Sequence, residues 1–247
     1  MLRSLLAPAL LLILLADLPA QDAAKPNPDA KAQFAEAQKL VKQVSPGVYD
    51  LNGIQITAAT RELRIPCDIL HQKLPIEYAL CHETGEKVHE TVLETKVRPI
   101  QIQLALLLAH YEPGTLGILD KLDPKEERPY KDADTAPKTP GANRLAIRVE
   151  WKDGDKTKNV PLSDFIQDIE KRKTPDDLDT WIFNGSFIDE TGFAAEVTGS
   201  IISTYVDRGA IINSAAKGNQ RDDLWISMPS NIPPEETKVT LIITPAK

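Results

Sequence analysis

Five residues with metal-ligand or acid–base chemistry fall within nine positions, His82, Glu83, Glu86, His89 and Glu90, and Lys87 stands among them. Neutral imidazoles and carboxylates are the groups that hold a divalent cation and activate its bound water, so His82, Glu86 and His89 are the candidate metal set. Their spacing, H-E-x5-H-E, differs from the H-E-x-x-H of a zinc-binding helix, where both imidazoles share one face. Hydrolysis by Ser186, His89 and an acid such as Glu77 would require a G-x-S-x-G elbow to present the serine, and the chain has none. The remaining reading is non-catalytic. Either His89 hydrogen-bonds a backbone or carboxylate partner across strands while Glu90 pairs with Lys87 or Arg98, or His89, Glu90, His82 and Lys87 form a binding surface.

The elements that must position these side chains are read from periodicity. Thr84-Gly85 is a turn into Lys87–Thr95, where Val88, Glu90 and Val92 alternate with His89, Thr91 and Leu93 as in a strand. On a strand, His89 and Glu90 point to opposite faces, and only a bulge or helical turn brings them together. Pro99 opens a helix that runs through an almost wholly apolar stretch to Ala109 and stops at Tyr111-Glu112-Pro113-Gly114. A helix without a polar face is buried on most sides, and this one is expected to be the core of the domain. A second helix is expected from Leu162 to Lys173, with Phe165, Ile166 and Ile169 inward and Lys171-Arg172-Lys173 facing its C-terminal dipole.

Strand alternation marks 49–57, 60–67 and 75–80 ahead of that region. Beyond it lie 145–151, 181–184, 193–197, 200–205, 224–228 and 239–244. The last of these, Val-Thr-Leu-Ile-Ile, has the continuous apolar character of a covered position. The expected class is α+β: a largely antiparallel sheet with two main packed helices. Residues 120–143 are charged, Pro-rich and aperiodic, and read as a solvated loop insertion, since they lack the glycine hinges and apolar tip of a closing lid.

Residues 1–20 carry Arg3, an apolar run from Leu5 to Leu15 and a short segment ending at Ala20, the pattern of a cleaved signal peptide. The run is shorter than a membrane span requires, so the expectation is a soluble periplasmic or secreted protein without a stable membrane anchor. Residues 21–47 read as a polar linker followed by a short helix from Ala32 to Val44. In an oxidising compartment Cys67 and Cys81, fourteen positions apart, are either a disulfide or two buried thiols. A net charge of -7 without a basic stripe excludes nucleic acid as a partner.

Glu77-Tyr78, then Gly85 to Leu93, then Pro99 and the Leu-rich helix to Pro113-Gly114 resemble the YdjY-like family of exported bacterial proteins, whose motif is approximately G-K-x-H-E-S-x-L after an L-E-Y strand. Glu86 is inserted between Gly85 and Lys87, and Thr91 replaces the serine. The strand 146–151, Trp181 to Ser186 and Phe193 to Ser203 follow in the family's order, so the resemblance covers 48–228, leaving 229–247 as a C-terminal strand extension. The resemblance implies a domain without an assigned reaction. Joined to the missing catalytic signatures, it makes the expected function that of a non-catalytic binding or assembly module for a protein or envelope component, without a cofactor. The alternative is a metal-assisted or His-based hydrolase using His82 to Glu90.

Overall fold

The computed structural model describes residues 28–73, 75–114, 144–174, 178, 181–216 and 218–246. The expected signal peptide and the 120–143 insertion lie outside the described residues. Among the described residues three short helices, α1 (Pro28–Lys39), α2 (Pro99–Leu108) and α3 (Ala194–Thr198), accompany fourteen strands. These are β1 (Val41–Ser45), β2 (Val48–Leu51), β3 (Ile54–Thr57), β4 (Glu62–Ile69), β5 (Tyr78–His82), β6 (Thr91–Thr95) and β7 (Arg144–Asp153). They continue with β8 (Lys156–Pro161), β9 (Ile166–Asp168), β10 (Trp181–Phe183), β11 (Ser200–Ser203), β12 (Ile212–Ser214), β13 (Trp225–Ser227) and β14 (Lys238–Pro245).

Eight of the strands close on themselves in the order β4-β14-β7-β10-β12-β11-β5-β6, with β6 returning to β4. The protein is therefore a mostly-β barrel, and the expectation of an α+β sheet with two main packed helices is corrected. Closure depends on two long strands that change neighbours along their length. The first half of β4 pairs with β3 at residues 62–64, and its end pairs with β6 through Asp68 and Ile69. On β7, residues 144–145 pair with β10, and 148–153 pair with β8 on the hairpin that Asp153 and Gly154 open. Between them β14 pairs with β4 on one side and β7 on the other.

The alternating side chains Leu63, Ile65, Cys67 and Ile69 of β4, Leu145, Ile147 and Val149 of β7, and Val239, Leu241 and Ile243 of β14 all enter one hydrophobic core. The helix expected from Pro99 is present, and eight of its ten residues are buried. It packs against α1, α3 and β3 rather than lying on an open sheet. The Glu196 carboxylate of α3 accepts the Ile100 N–H at 3.0 Å and pairs with Arg98 at 2.5 Å, so it satisfies an orphan donor at the positive end of α2.

The second expected helix does not form. Leu162–Phe165 is one 3-10 turn, followed by β9, which pairs with β13 in a separate two-stranded sheet. The buried Asp168 side chain accepts the N–H groups of Glu170 and Lys171 at 2.8 and 2.9 Å, which turns the chain where a helix would continue. Two further elements differ from the periodicity. The Ala32–Val44 helix ends at Lys39 and gives way to β1, and 194–198 is helical rather than extended.

Candidate functional site

Two neighbouring strand pairs in the barrel are parallel, β5 with β6 and β11 with β12. A parallel pair obliges the chain to return to the end where it began, usually through a dozen or more residues. Here strands of three to five residues let eight suffice for each return, 83–90 and 204–211. Because β11 runs antiparallel to β5, with Ser203 opposite Tyr78, the two crossovers meet beside Tyr78. Glu77 stitches them together: its N–H donates to Glu90 O at 3.1 Å, and its carbonyl accepts the Thr204 N–H at 2.9 Å.

The first crossover is shaped by a backbone contact. Gly85 N–H donates to His82 O at 2.8 Å and Glu86 N–H to Thr198 O at 2.9 Å, which draws the turn onto the end of α3. A Cβ on Gly199, whose φ is +76°, would lie 2.4 Å from Gly85 Cα. Both glycines are therefore needed for the crossing. The chain then coils through a 3-10 turn, Val88–Glu90, before β6 starts at Thr91. The strand expected to begin at Lys87 thus starts four residues later, and His89 and Glu90 are not on opposite faces of a strand: His89 Nε2 is 3.6 Å from Glu90 Oε1.

Lys87 Nζ sits between two carboxylates, 2.9 Å from Glu77 and 3.0 Å from Glu90. The hydrogen bonds it donates to Glu77 and Glu90 hold the ammonium pKa above the ordinary lysine range. Burial pushes the Glu90 carboxyl up, but the hydrogen bond and charge of Lys87 outweigh it and leave it lowered. From the second crossover, Tyr78 Oη donates to Asp207 Oδ2 at 2.9 Å and lies 3.1 Å from Tyr205 Oη, the two rings meeting edge to face. Burial, then the Asp207 charge, raises the Tyr78 phenol, and burial raises Tyr205. Asp207 is anchored in turn, its N–H donating to Asn213 Oδ1 at 2.7 Å and its Oδ1 accepting the Gly209 N–H at 2.7 Å. Asn213 also donates to Asn184 Oδ1 at 2.6 Å, both side chains fully buried.

The other sequence-predicted residues are placed differently. His82 Nδ1 bonds locally to Thr84 Oγ1 at 2.9 Å, Glu86 is exposed, and His89 projects with 66% of its side chain open to solvent. Among the described residues no three His, Cys, Asp or Glu side chains gather around a point that could hold a metal ion, so His82, Glu86 and His89 do not form a ligand set here. Arg98, the alternative partner for Glu90, pairs with Glu196 instead. Ser186 is committed to the backbone: its Oγ donates to Gly209 O at 2.6 Å and accepts the Ala195 N–H at 3.1 Å.

Cys67 and Cys81 are both free and buried. Cys67 belongs to the barrel core, whereas Cys81 joins Tyr78 and Ala210 in a small cluster beneath the crossovers. Burial pushes each thiol up to about 12. Sequence reasoning missed Tyr205 and Asp207 as partners of Tyr78; the signal available was Asp207-Arg208-Gly209, a turn tripeptide directly after an apolar strand.

A family model for the YdjY domain matches residues 54–244, from β3 to the last barrel strand. The chain belongs to the YdjY family. Comparison with curated proteins and with solved structures gave no match. In this YdjY domain the GEKVHE segment lies in the first crossover, and the terminal strand β14 is a full stave of the barrel. No helix among the described residues is long and apolar enough to cross a membrane.

Proposed function

We propose that this YdjY protein is an exported, non-catalytic binding module that presents the Lys87–Glu90 turn to a protein or envelope component. One observation carries the reading: the ionisable groups whose pKa is displaced at the crossover junction are all displaced away from neutrality. A general acid or base works best with a pKa near the operating pH. Lys87 is raised, Glu90 is lowered, and Tyr78, Tyr205 and Cys81 are raised, so each keeps one protonation state around pH 7. Such groups suit recognition, because a fixed pattern of charge on a braced loop loses little freedom when a partner docks. His89, exposed beside this fixed pattern, is the residue offered outward. The leader-like residues 1–20 support an envelope location.

The test is site-specific photocrosslinking in cells, with a photoreactive residue at position 89 and, as a control, at the exposed position 157 of β8. The expected result is a discrete adduct from position 89 that weakens with Lys87→Ala. Equal, diffuse labelling from both positions would overturn the proposal.

A further inference from the structure

A second surface lies on the hairpin of β7 and β8. Trp151, Asp153, Lys158 and Val160 share one face of that hairpin, because Trp151 pairs with Lys158 and Val149 with Val160 in the register. The opposite wall is the 230–234 loop with Asp164, and the space between is an open cleft of about 420 Å³. That volume is in the range of small-molecule sites.

Its composition narrows the ligand. Trp151 is half-buried, and its ring is braced by Phe165 at a centroid distance of 6.0 Å, so the indole is a fixed platform flanked by Val160, Ile232 and Pro233. The polar wall is also fixed, since Asn231 Nδ2 donates to Asp164 O at 2.7 Å. The rim mixes signs. Lys158 Nζ lies 3.9 Å from Asp153 Oδ2, and with Asp164 the lining holds two carboxylates to one ammonium, which disfavours an anionic ligand and makes a cationic probe the control. A flat apolar platform edged by carboxylate acceptors and an ammonium donor matches a neutral ring that carries C–H groups on its face and hydroxyls on its perimeter.

We propose that this cleft binds a neutral pyranose, stacked on Trp151, with its hydroxyls donating to Asp153 and Asp164. The site is separate from the crossover junction and does not rest on the function proposed there.

The three tryptophans make the test direct, because Trp181 and Trp225 are fully buried and only Trp151 meets solvent. The whole protein, 15N-labelled at tryptophan, is titrated with maltotriose, cellotriose and chitotriose, and with choline as a cationic probe, the Trp151 indole signal being assigned from Trp151→Phe. The expected result is a saturable shift of that signal with at least one trisaccharide, at a dissociation constant on the order of 1 mM. Asp164→Asn, which leaves the aromatic packing in place, is expected to weaken it about tenfold. No shift with any trisaccharide up to ~10 mM overturns the proposal, as does a shift with choline alone.

Discussion

Gly199→Ala should destabilise the protein far more than an ordinary glycine substitution at the same backbone angle. Gly199 has φ +76°, and its added Cβ would meet Gly85 Cα at 2.4 Å, a backbone atom that cannot rotate aside. Left-handed backbone costs a non-glycine residue about 1–2 kcal/mol, and forcing atoms into a filled site costs about 1–3 kcal/mol more. The expected loss is therefore about 2–5 kcal/mol, a large share of the stability of a typical domain. Gly47 supplies the control: its φ is +75°, yet nothing lies within 4 Å of where its Cβ would stand. Gly47→Ala should show the dihedral cost alone, and the difference between the two variants isolates the crossing of the two backbones. Urea unfolding followed by tryptophan fluorescence measures both, read as a shift in midpoint at unchanged slope. Equal losses in the two variants would refute the close crossing of 85 and 199.

Further outcomes follow from the junction and the core. Lys87→Met should cost about 0.5–1 kcal/mol at pH 7, a modest value because the ammonium is partly open to solvent. Glu90 has a lowered folded pKa, so the stability it contributes is present above its unfolded value near 4.5 and is lost as pH falls through the folded one. The gap between wild type and Lys87→Met in urea midpoints should accordingly close as the pH drops below about 4; a gap constant with pH would exclude the ion pair as its source. Tyr78→Phe removes the donor to Asp207 and should cost about 1–3 kcal/mol in the same assay, because a hydrogen bond to a charged acceptor is lost in a mostly buried place. A thiol reagent should find no reactive cysteine in the native protein and two after denaturation without reductant, since both thiols are buried with their pKa pushed up to about 12. None after denaturation would mean that Cys67 and Cys81 are joined.

Strands were legible where local periodicity and burial agree. Leu145, Ile147 and Val149 alternate in the sequence and all turn inward, and Pro99 followed by an unbroken apolar run gives α2 within a residue of its observed start. Misreadings fall where a tertiary partner outbids a local pattern. Phe165, Ile166 and Ile169 have helical spacing, but pairing with β13 and the bonds from Asp168 hold the segment extended and then turned. Lys87 to Leu93 alternates like a strand throughout, yet its first half is the crossover that the Gly85–Gly199 contact bends. Barrel closure was not legible, because it rests on β4 and β7 each dividing one edge between two partners, a property of register rather than of composition. The lysine pair to Glu90 could be named from sequence at i,i+3, whereas Tyr205 and Asp207 lie more than a hundred residues from Tyr78 and share no pattern with it.

The two parallel pairs account for the position of the polar junction. A barrel of only antiparallel neighbours can be joined by tight turns at its rims, and its outer face then needs no cover. Each parallel pair instead sends a polar segment back along the wall, here beside Tyr78 and Cys81, which gather with Ala210 in a cluster of their own. Burying that cluster opposes lifting of either crossover, at about 1.5 kcal/mol or more for a large side chain. The crossovers in turn bring Asp207 Oδ2 to 2.9 Å from the Tyr78 phenol, which burial and then that charge raise. The Lys87–Glu90 turn is thus held by packing beneath it and by backbone bonds from Glu77 and Thr198 at its flanks, while His89 stands outside both constraints. If recognition runs through this turn, substitutions below it, at Tyr78 or Asp207, should weaken binding without touching the partner, whereas His89→Ala should weaken it without changing stability.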